Sequence, residues 1–408
     1  MLHPKLGRAM NLVYFHALVF ALLGTTLRIR SWRRTIRLEK LSWKYLLYSV
    51  FLSSTLFLNI YFLFPKAILD GYIKSNIILQ GNFFMMTGLR VMALLGCYGT
   101  IWVKRKEIIG LYEDTLRYWK KHRSLLRGQV DRKDLKELQL SLARKILTQI
   151  IVSYTTTMFS TVIQYQLLGV VNKFSLMALA ARISHFFHFV AFKVAFYGVL
   201  ILLENQFGVV HLALDGLHNR KDKKRVSALR CIATMHWETF QLARRIFALC
   251  DIANAALFIN MFMTTVNILY HAVQFSNATI KSSIWGILFG NGLIIFNFWG
   301  TMMMMNMLDQ VLTSCNNVGQ HLKQFSDLPR VSKSFQRELD IFTMEVRRNR
   351  LVYKICGLVE LDKPACLSYI GSVLTQVIIL MQFDLRQNNQ PHGHTYLTQL
   401  SRNTSEQI

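Results

Sequence analysis

Residues Ile284 to Met305 read IWGILFGNGLIIFNFWGTMMMM, a run of 22 residues without one charged side chain. As an α-helix this run is about 33 Å long, which is enough to cross the hydrocarbon core of a bilayer. In lipid every backbone amide must find its partner within the helix itself. The run therefore predicts a transmembrane helix.

Six further stretches meet the same test. The chain of 408 residues is 52% hydrophobic and only 17% charged, which is too apolar for a soluble protein of this size. The seven predicted spans are 45–64, 77–102, 146–168, 176–203, 252–275, 284–305 and 365–383. The sequence thus predicts an all-α membrane protein with seven transmembrane helices. We expect residues 1–383 to form a single domain and residues 384–408 to form a disordered tail.

A shorter apolar segment, Met10 to Leu27, precedes these spans. Its 18 residues could just cross a bilayer. An interfacial or re-entrant helix packed on the bundle is the favoured interpretation.

The basic residues fix the expected orientation. The N-terminal segment and the three long loops on the same side hold 39 of the 48 Lys and Arg, whereas the opposite side holds 6. Because cytosolic loops are enriched in Lys and Arg, this places the N-terminus in the cytosol and the C-terminus outside. Both glycosylation sequons, Asn277-Ala-Thr and Asn403-Thr-Ser, then lie outside.

Two of the long inner loops contain apolar stripes at helical spacing. Residues repeating every three or four positions form one face of a helix. The stripes are Leu229, Ile232, Ala233, His236, Phe240, Ala243 and Phe247 in the second loop, and Leu339, Phe342, Val346 and Leu351 in the third. They predict that the fourth and fifth spans continue into the cytosol. The stripes could pack within one subunit or join several subunits, and periodicity leaves both possibilities open.

Catalytic motifs are absent from the sequence. It contains no phosphate-binding Gly loop, no His-Glu-x-x-His zinc signature and no Gly-x-Ser-x-Gly elbow. The six cysteines lack the short spacings of metal or redox motifs. We therefore expect no enzymatic activity, no cofactor and no nucleic-acid partner, since the positive charge is distributed between apolar spans.

Charged residues within the spans are candidates for function. Arg90, Arg182 and Lys193 are costly in lipid and should face a bundle interior, a watery cavity or the headgroups. A polar cavity among the second to sixth helices would make Arg90, Arg182, His185 and His188 candidate ligand-binding residues. Alternatively, Arg182 and Lys193 could reach the headgroups. His185 and His188 share a helical face but lack carboxylate or Cys partners nearby, so we expect no metal site.

The end of the seventh span is the most specific part of the sequence. Residues Cys356 to Asp362 read CGLVELD, and Thr375 to Phe383 read TQVIILMQF. This resembles the C-terminal signature of insect gustatory receptors, which is Thr-Tyr, five hydrophobic residues and Gln-Phe. Thr375, Gln382 and Phe383 match, while Gln376 replaces the Tyr and weakens any role carried over to that position. Chain length, seven spans, an inner N-terminus and long inner loops extend the resemblance over the whole chain.

The resemblance implies a ligand-gated, nonselective cation channel built as a homo- or hetero-tetramer in the plasma membrane of gustatory receptor neurons. The ligands would be tastants, of the bitter or aversive type, bound in a pocket that opens outward. The cytosolic helices would form a tetrameric anchor. The seventh helices would line a central pore, with Gln382 and Phe383 at its constriction and Thr375 lower on the same helix.

The composition of the seventh span is compatible with such a pore. Four copies of the apolar segment from Val373 to Met381, which includes Ile379, would form a hydrophobic gate, with Gln376 as a further candidate pore residue. Asp384 would add a ring of four carboxylates that concentrates cations, or is a solvated charge at the helix end.

Two other functions compete with a channel. A seven-helix G-protein-coupled receptor would have its N-terminus outside, a disulfide in the outer loops and prolines within spans, and the sequence shows none of these features. A secondary transporter would show inverted repeats and helices broken by Gly or Pro at matching positions. We find neither in the sequence.

The orientation can be tested with tags at the two chain ends. An N-terminal tag should be stained only after the cells are permeabilised, and a C-terminal tag should be stained on intact cells. Because residue 403 is expected outside, Asn403→Gln should remove a glycan and increase electrophoretic mobility. Two tags on the same membrane face would contradict the predicted threading.

Overall fold

The computed structural model describes residues 3–23, 27–30, 35–38, 43–64, 77–168, 173–217, 222–276, 284–326, 332–361 and 363–389. This part of the chain is almost entirely helical, with two short antiparallel hairpins. The elements are α1 Pro4–Val19, β1 Leu27–Arg30, β2 Thr35–Leu38, α2 Trp43–Leu58, α3 Ile77–Val103, α4 Arg105–Gln129, α5 Arg132–Leu168, α6 Lys173–Asp215, α7 Asp222–Ser276, α8 Ile284–Asn316, α9 Val318–Ser326, α10 Lys333–Arg348, β3 Lys354–Ile355, β4 Val359–Glu360 and α11 Lys363–Asn389.

Within the described residues, seven helices are long and apolar enough to cross a membrane. They are α2 with the 3-10 turn Asn59–Leu63 that follows it, α3, α5, α6, α7, α8 and α11. Six of them contain a predicted span in full, and the first ends at Leu63, one residue before the predicted end of its span. The predicted all-α fold with seven transmembrane helices is therefore confirmed, while the orientation of the chain ends stays a prediction. Both sequons lie outside the described residues.

Several spans continue well beyond the thickness of a bilayer. Helix α6 has 43 residues and α7 has 55, so α7 alone is about 80 Å long. This confirms that the fourth and fifth predicted spans extend past the hydrocarbon region. Helix α11 continues to Asn389, six residues past the expected end of the seventh span, and residues 390–408 lie outside the described part.

The beginning of the first apolar stripe meets the second stripe in one buried cluster, while Phe240, Ala243 and Phe247 of the first stripe lie in the main core of the bundle. Leu339, Phe342 and Val346 of α10 pack with Leu229 and Ile232 of α7 inside the same subunit. Packing within one subunit thus accounts for these side chains, which was one of the two possibilities left open by periodicity.

The ends of α10 are defined by polar contacts. Ser332 caps the helix, because its hydroxyl accepts a hydrogen bond from the Phe335 amide at 3.4 Å. An exposed ion pair joins Arg230 of α7 to Glu338 of α10. The hydrogen bond that the Arg230 guanidinium donates lowers the pKa of the Glu338 carboxyl below its ordinary value. Leu351 differs from the expectation that it belongs to the helical stripe. It lies after the end of α10 and exchanges two 2.9 Å hydrogen bonds with the Asn316 side chain.

Helix α1 begins beside the first turns of α5 and ends near the middle of α6. Its first turn lies beside the start of α5, where the His3 amide donates to Gln139 Oε1. Its last turn leads to Phe20, whose ring centroid is 5.0 Å from that of His188 near the middle of α6. With 16 residues it is too short to span a bilayer. The favoured interpretation of Met10 to Leu27 as a helix packed on the bundle fits this geometry, although the helix begins at residue 4 and ends at residue 19.

Truncation of Phe342 tests the packing of α10 on α7. Phe342→Ala should lower the free energy of unfolding by about 3 to 5 kcal/mol, because the side chain is 2% exposed and its removal leaves a cavity. The measurement is the thermal unfolding midpoint of the purified protein in detergent. Met344→Ala on the same helix is the matched control, since Met344 is 61% exposed and its loss should leave the midpoint unchanged. Equal midpoints for the two variants would refute the packing described.

Candidate functional site

Helix α11 packs on the rest of the subunit along one apolar face. Val373 and Val377 are buried against Val266 of α7, and Tyr369 and Leu380 pack against the same cluster. These four positions of α11 recur at steps of three and four residues, as one helical face requires. Much of the remaining surface of α11 is exposed.

The opposite face of α11 is exposed and unusually polar. Ser368, Gly371, Ser372, Thr375 and Gln382 are all exposed, and they lie on one side of the helix. In the apolar segment of α11 only 11% of the residues are buried inside the subunit, whereas in that of α6 the share is 72%. Hydroxyl and amide side chains gain nothing from contact with lipid tails. This stripe is therefore suited to water or to another polypeptide.

The structure distributes the predicted pore residues over three parts of α11. Thr375, Ile379 and Gln382 lie in the exposed stripe. Phe383 is 58% exposed beside it, and Gln376 is half-buried on the flank. Ser368 and Ser372 belong to the same stripe but were missed by sequence reasoning. Counting back from Thr375 in steps of three and four residues would have found them.

Asp384 lies on the packed side of α11, not in the stripe. Its Oδ2 accepts a 2.7 Å hydrogen bond from Nε2 of Gln274 on α7. An inward ring of four Asp384 carboxylates would require this bond to break first.

A polar network also joins α11 to its neighbours. The hydroxyls of Tyr369 and Thr265 lie 2.9 Å apart, and Asn297 Nδ2 of α8 donates to the Thr265 hydroxyl at 3.0 Å. All three residues are largely buried within predicted spans. Because hydrogen bonds compensate the burial of such groups, the network fixes how α7, α8 and α11 are rotated against one another.

The second candidate region is a basic cluster between α3 and α6. The Arg90 guanidinium lies over the ring of Phe186, 3.8 Å from its centroid, and Arg182 lies 4.7 Å from the centroid of Phe83. Each helix thus supplies one arginine and one phenylalanine to the pair. The two guanidiniums are close enough for their charges to repel. Arg90 is 6% exposed and Arg182 is 5% exposed.

The two predicted histidines join the same cluster. His185 Nε2 donates to the Leu56 carbonyl at 2.9 Å, and His188 Nδ1 donates to the Ser184 carbonyl at 2.7 Å. His185 lies near both Arg90 and His188. The structure therefore brings the four predicted ligand-binding residues together. Among the described residues, no group of three or more His, Cys, Asp or Glu side chains is arranged to hold a metal.

Lys193 lies apart from this cluster. Its side chain is buried beside Gly300 of α8. A Cβ added to Gly300 would lie 3.3 Å from Nζ of Lys193. Arg182 and Lys193 are thus both enclosed by the bundle. Their burial argues against the alternative in which they extend to lipid headgroups.

Comparison with known proteins agrees with the resemblance found in the sequence. The profile of the 7tm Chemosensory receptor family matches residues 11–387. Gustatory receptor 58b of Drosophila melanogaster is 60% identical over 407 residues, covering all of both chains. Gustatory receptor 58a of the same species is 28% identical over 358 residues, covering 84% of this chain and 90% of the relative.

Solved structures agree at the level of the fold. The insect olfactory receptor OR5 from Machilis hrabei in complex with eugenol is 12% identical in sequence and superposes with a TM-score of 0.67. The match covers 93% of this chain and 97% of the olfactory receptor. The same receptor described without eugenol gives a TM-score of 0.62. The chain therefore belongs to the 7tm chemosensory receptor family and is a multi-pass membrane protein of its insect gustatory receptor group.

Proposed function

We propose that the protein is a tastant-gated, nonselective cation channel in which α11 of four subunits lines one central pore. The observation that carries this proposal is the polar stripe of α11. This stripe lies on the least buried of the seven candidate spans. Four such stripes turned toward one axis would face water, and the apolar face of each helix would stay on its own subunit.

The side chains of α11 suggest how the pore would close. The hydroxyls of Ser368, Ser372 and Thr375 form a hydrophilic stretch. Ile379 follows one turn later and would make a narrow apolar ring that excludes ions unless it is wetted. Gln382 and Phe383 come next, at the expected constriction. Cation preference would then come from amide and hydroxyl oxygens, since Asp384 is engaged with Gln274.

The proposed ligand site is the basic cluster of α3 and α6. It lies among helices that do not line the pore, as a site that controls a gate from outside requires. α3 packs along α7, which carries α11, so a contiguous path of packed helices joins the cluster to the pore. We propose a tastant of the bitter or aversive type as the ligand and the plasma membrane of gustatory neurons as the location, with glycans at Asn277 and Asn403.

The competing functions make different use of these features. A G-protein-coupled receptor or a secondary transporter works as a single bundle. In either class, the exposed polar stripe of α11 would not face water at an axis shared by several subunits. The experiment below separates a channel from both alternatives, because only a channel lets one side chain of α11 control an ionic current.

Cysteine substitution along α11 tests the proposed pore. In a background carrying Cys356→Ser and Cys366→Ser, Thr375→Cys and Ser372→Cys should each make the tastant-evoked cation current sensitive to a positively charged thiol reagent. The reason is that both positions lie in the exposed stripe. The measurement is whole-cell current during application of a tastant panel, before and after the reagent.

Val373→Cys and Val377→Cys are the matched controls. They lie on the same helix, within two residues of the reactive positions, but both side chains are buried against α7. Their currents should survive the reagent. Block at the buried positions with none in the stripe would show that another surface lines the pore.

Substitution of Gln382 tests the constriction. Gln382→Ala should change the relative permeability to large and small cations, because a shorter side chain widens the ring formed by four subunits. Reversal potentials measured with sodium and with a bulky organic cation report this change. The Leu374→Ala variant is the control, because Leu374 is exposed outside the stripe. Unaltered permeability in the Gln382 variant would remove this residue from the constriction.

A further inference from the structure

We propose that the basic cluster of Arg90 and Arg182 binds the anionic oxygens of the ligand, so that the tastant class is an organic acid in its carboxylate form. The inference rests on the proposed function, because it names the chemistry of the ligand that would act on the channel.

The cluster carries uncompensated positive charge. In the described part of the chain, neither Arg90 nor Arg182 forms an ion pair with a carboxylate. The titratable groups that Arg90 senses are Arg182 and His185, and His185 in turn senses His188. A buried charge without a partner is strongly destabilising. Two like charges side by side add repulsion, so the site is complete only when an anion is present.

The hydrogen-bond balance points the same way. Arg90 Nε is buried without an acceptor, and so is Nδ2 of Asn82, two turns earlier on α3. His185 and His188 do not fill the gap. In each ring one N–H donates to a backbone carbonyl, and the other ring nitrogen is buried without a hydrogen-bond partner. Buried donors of this kind are rare in folded proteins unless a ligand or water supplies the acceptor.

The aromatic contacts orient the guanidiniums for a carboxylate. The Cζ atoms of Arg90 and Arg182 lie over the rings of Phe186 and Phe83, at 3.8 and 4.7 Å from the ring centroids. A cation–π contact uses the face of the guanidinium and leaves its N–H groups free at the edge. Those edges present the fork that matches two carboxylate oxygens. The phenylalanines also supply apolar contact for the hydrocarbon part of an organic acid.

The depth of Arg90 favours a free acid over a lipid headgroup, which offers the same anionic oxygens. Arg90 is the central residue of α3, about 20 Å along the helix from either end. The hydrocarbon core is about 30 Å thick, so its two headgroup layers lie about 15 Å from its centre. A phosphate would have to leave that layer to reach Arg90, whereas a small acid can diffuse between the helices.

Thermal stabilisation by carboxylates tests the proposal without any need for current. The full chain in nanodiscs of phosphatidylcholine should unfold at a higher temperature with benzoate, hexanoate or both, and the neutral isosteres benzamide and hexanamide should have no effect. Arg90→Gln should weaken the carboxylate affinity by about 10- to 100-fold, since a charged hydrogen bond is lost. Arg90→Lys should keep part of it, because the charge remains without the fork.

Two controls distinguish binding from folding. Lys193→Gln removes another buried cation of α6 and should leave the carboxylate response intact. Without ligand, Arg90→Gln should unfold at the same temperature as the unmodified protein or at a higher one, because an unpaired charge has been removed. A lower midpoint would mark Arg90 as a structural residue and overturn the proposal.

The remaining outcomes are equally decisive. No stabilisation by either acid, or equal stabilisation in the Arg90→Gln protein, would overturn the proposed ligand class. Stabilisation only in nanodiscs that contain phosphatidylglycerol would assign the cluster to a lipid headgroup and overturn the organic acid as its ligand. A current evoked by neutral tastants and blocked through Thr375→Cys would leave the channel standing while refuting the acid, so the two proposals fail separately.

Discussion

The structure depends on one constraint, which is that a backbone amide in hydrocarbon must be paired within its own helix. This constraint forces seven long apolar helices and excludes almost everything else from the spans. The few polar side chains that remain are therefore informative, because each one has been kept at a cost in free energy. Two of the groups that they form in this chain are a hydrogen-bonded network around α11 and a basic cluster between α3 and α6 in which Arg90 Nε has no acceptor.

The contrast between the two groups indicates different roles. The hydroxyl of Tyr369 is paired with Thr265, which also receives a hydrogen bond from Asn297, so this network is complete without any further molecule. The arginines of the second group stack on phenylalanines but have no acceptor for Arg90 Nε. A complete network fixes the packing of helices, whereas an incomplete one is suited to a partner that comes and goes. The same polar residue types thus serve architecture in one place and recognition in the other.

Much of the fold could be predicted from the sequence, because hydropathy and the distribution of basic residues can be read directly along the chain. The seven spans, the helical extensions beyond them and the apolar face of α10 follow from apolar length and from periods of three and four residues. What could not be predicted depends on the rotation of each helix about its axis. The place of Asp384 opposite Thr375 and the pairing of Arg90 with Phe186 are of this kind. That rotation is set by contacts between segments more than 90 residues apart in the sequence, which periodicity does not encode.

The two polar attachments of α11 have a mechanical consequence. Near the N-terminal end of α11, Tyr369 is hydrogen-bonded to Thr265 of α7. Near its C-terminal end, Asp384 is hydrogen-bonded to Gln274 of α7. A helix pinned at two points to the same neighbour cannot tilt or slide away from it without losing one of the pins. In a channel built from such subunits, dilation of the central conduit would carry α7 and α11 outward together as one rigid body. Helix α11, which would face the ions, would then only follow the movement of the 55-residue helix α7 behind it.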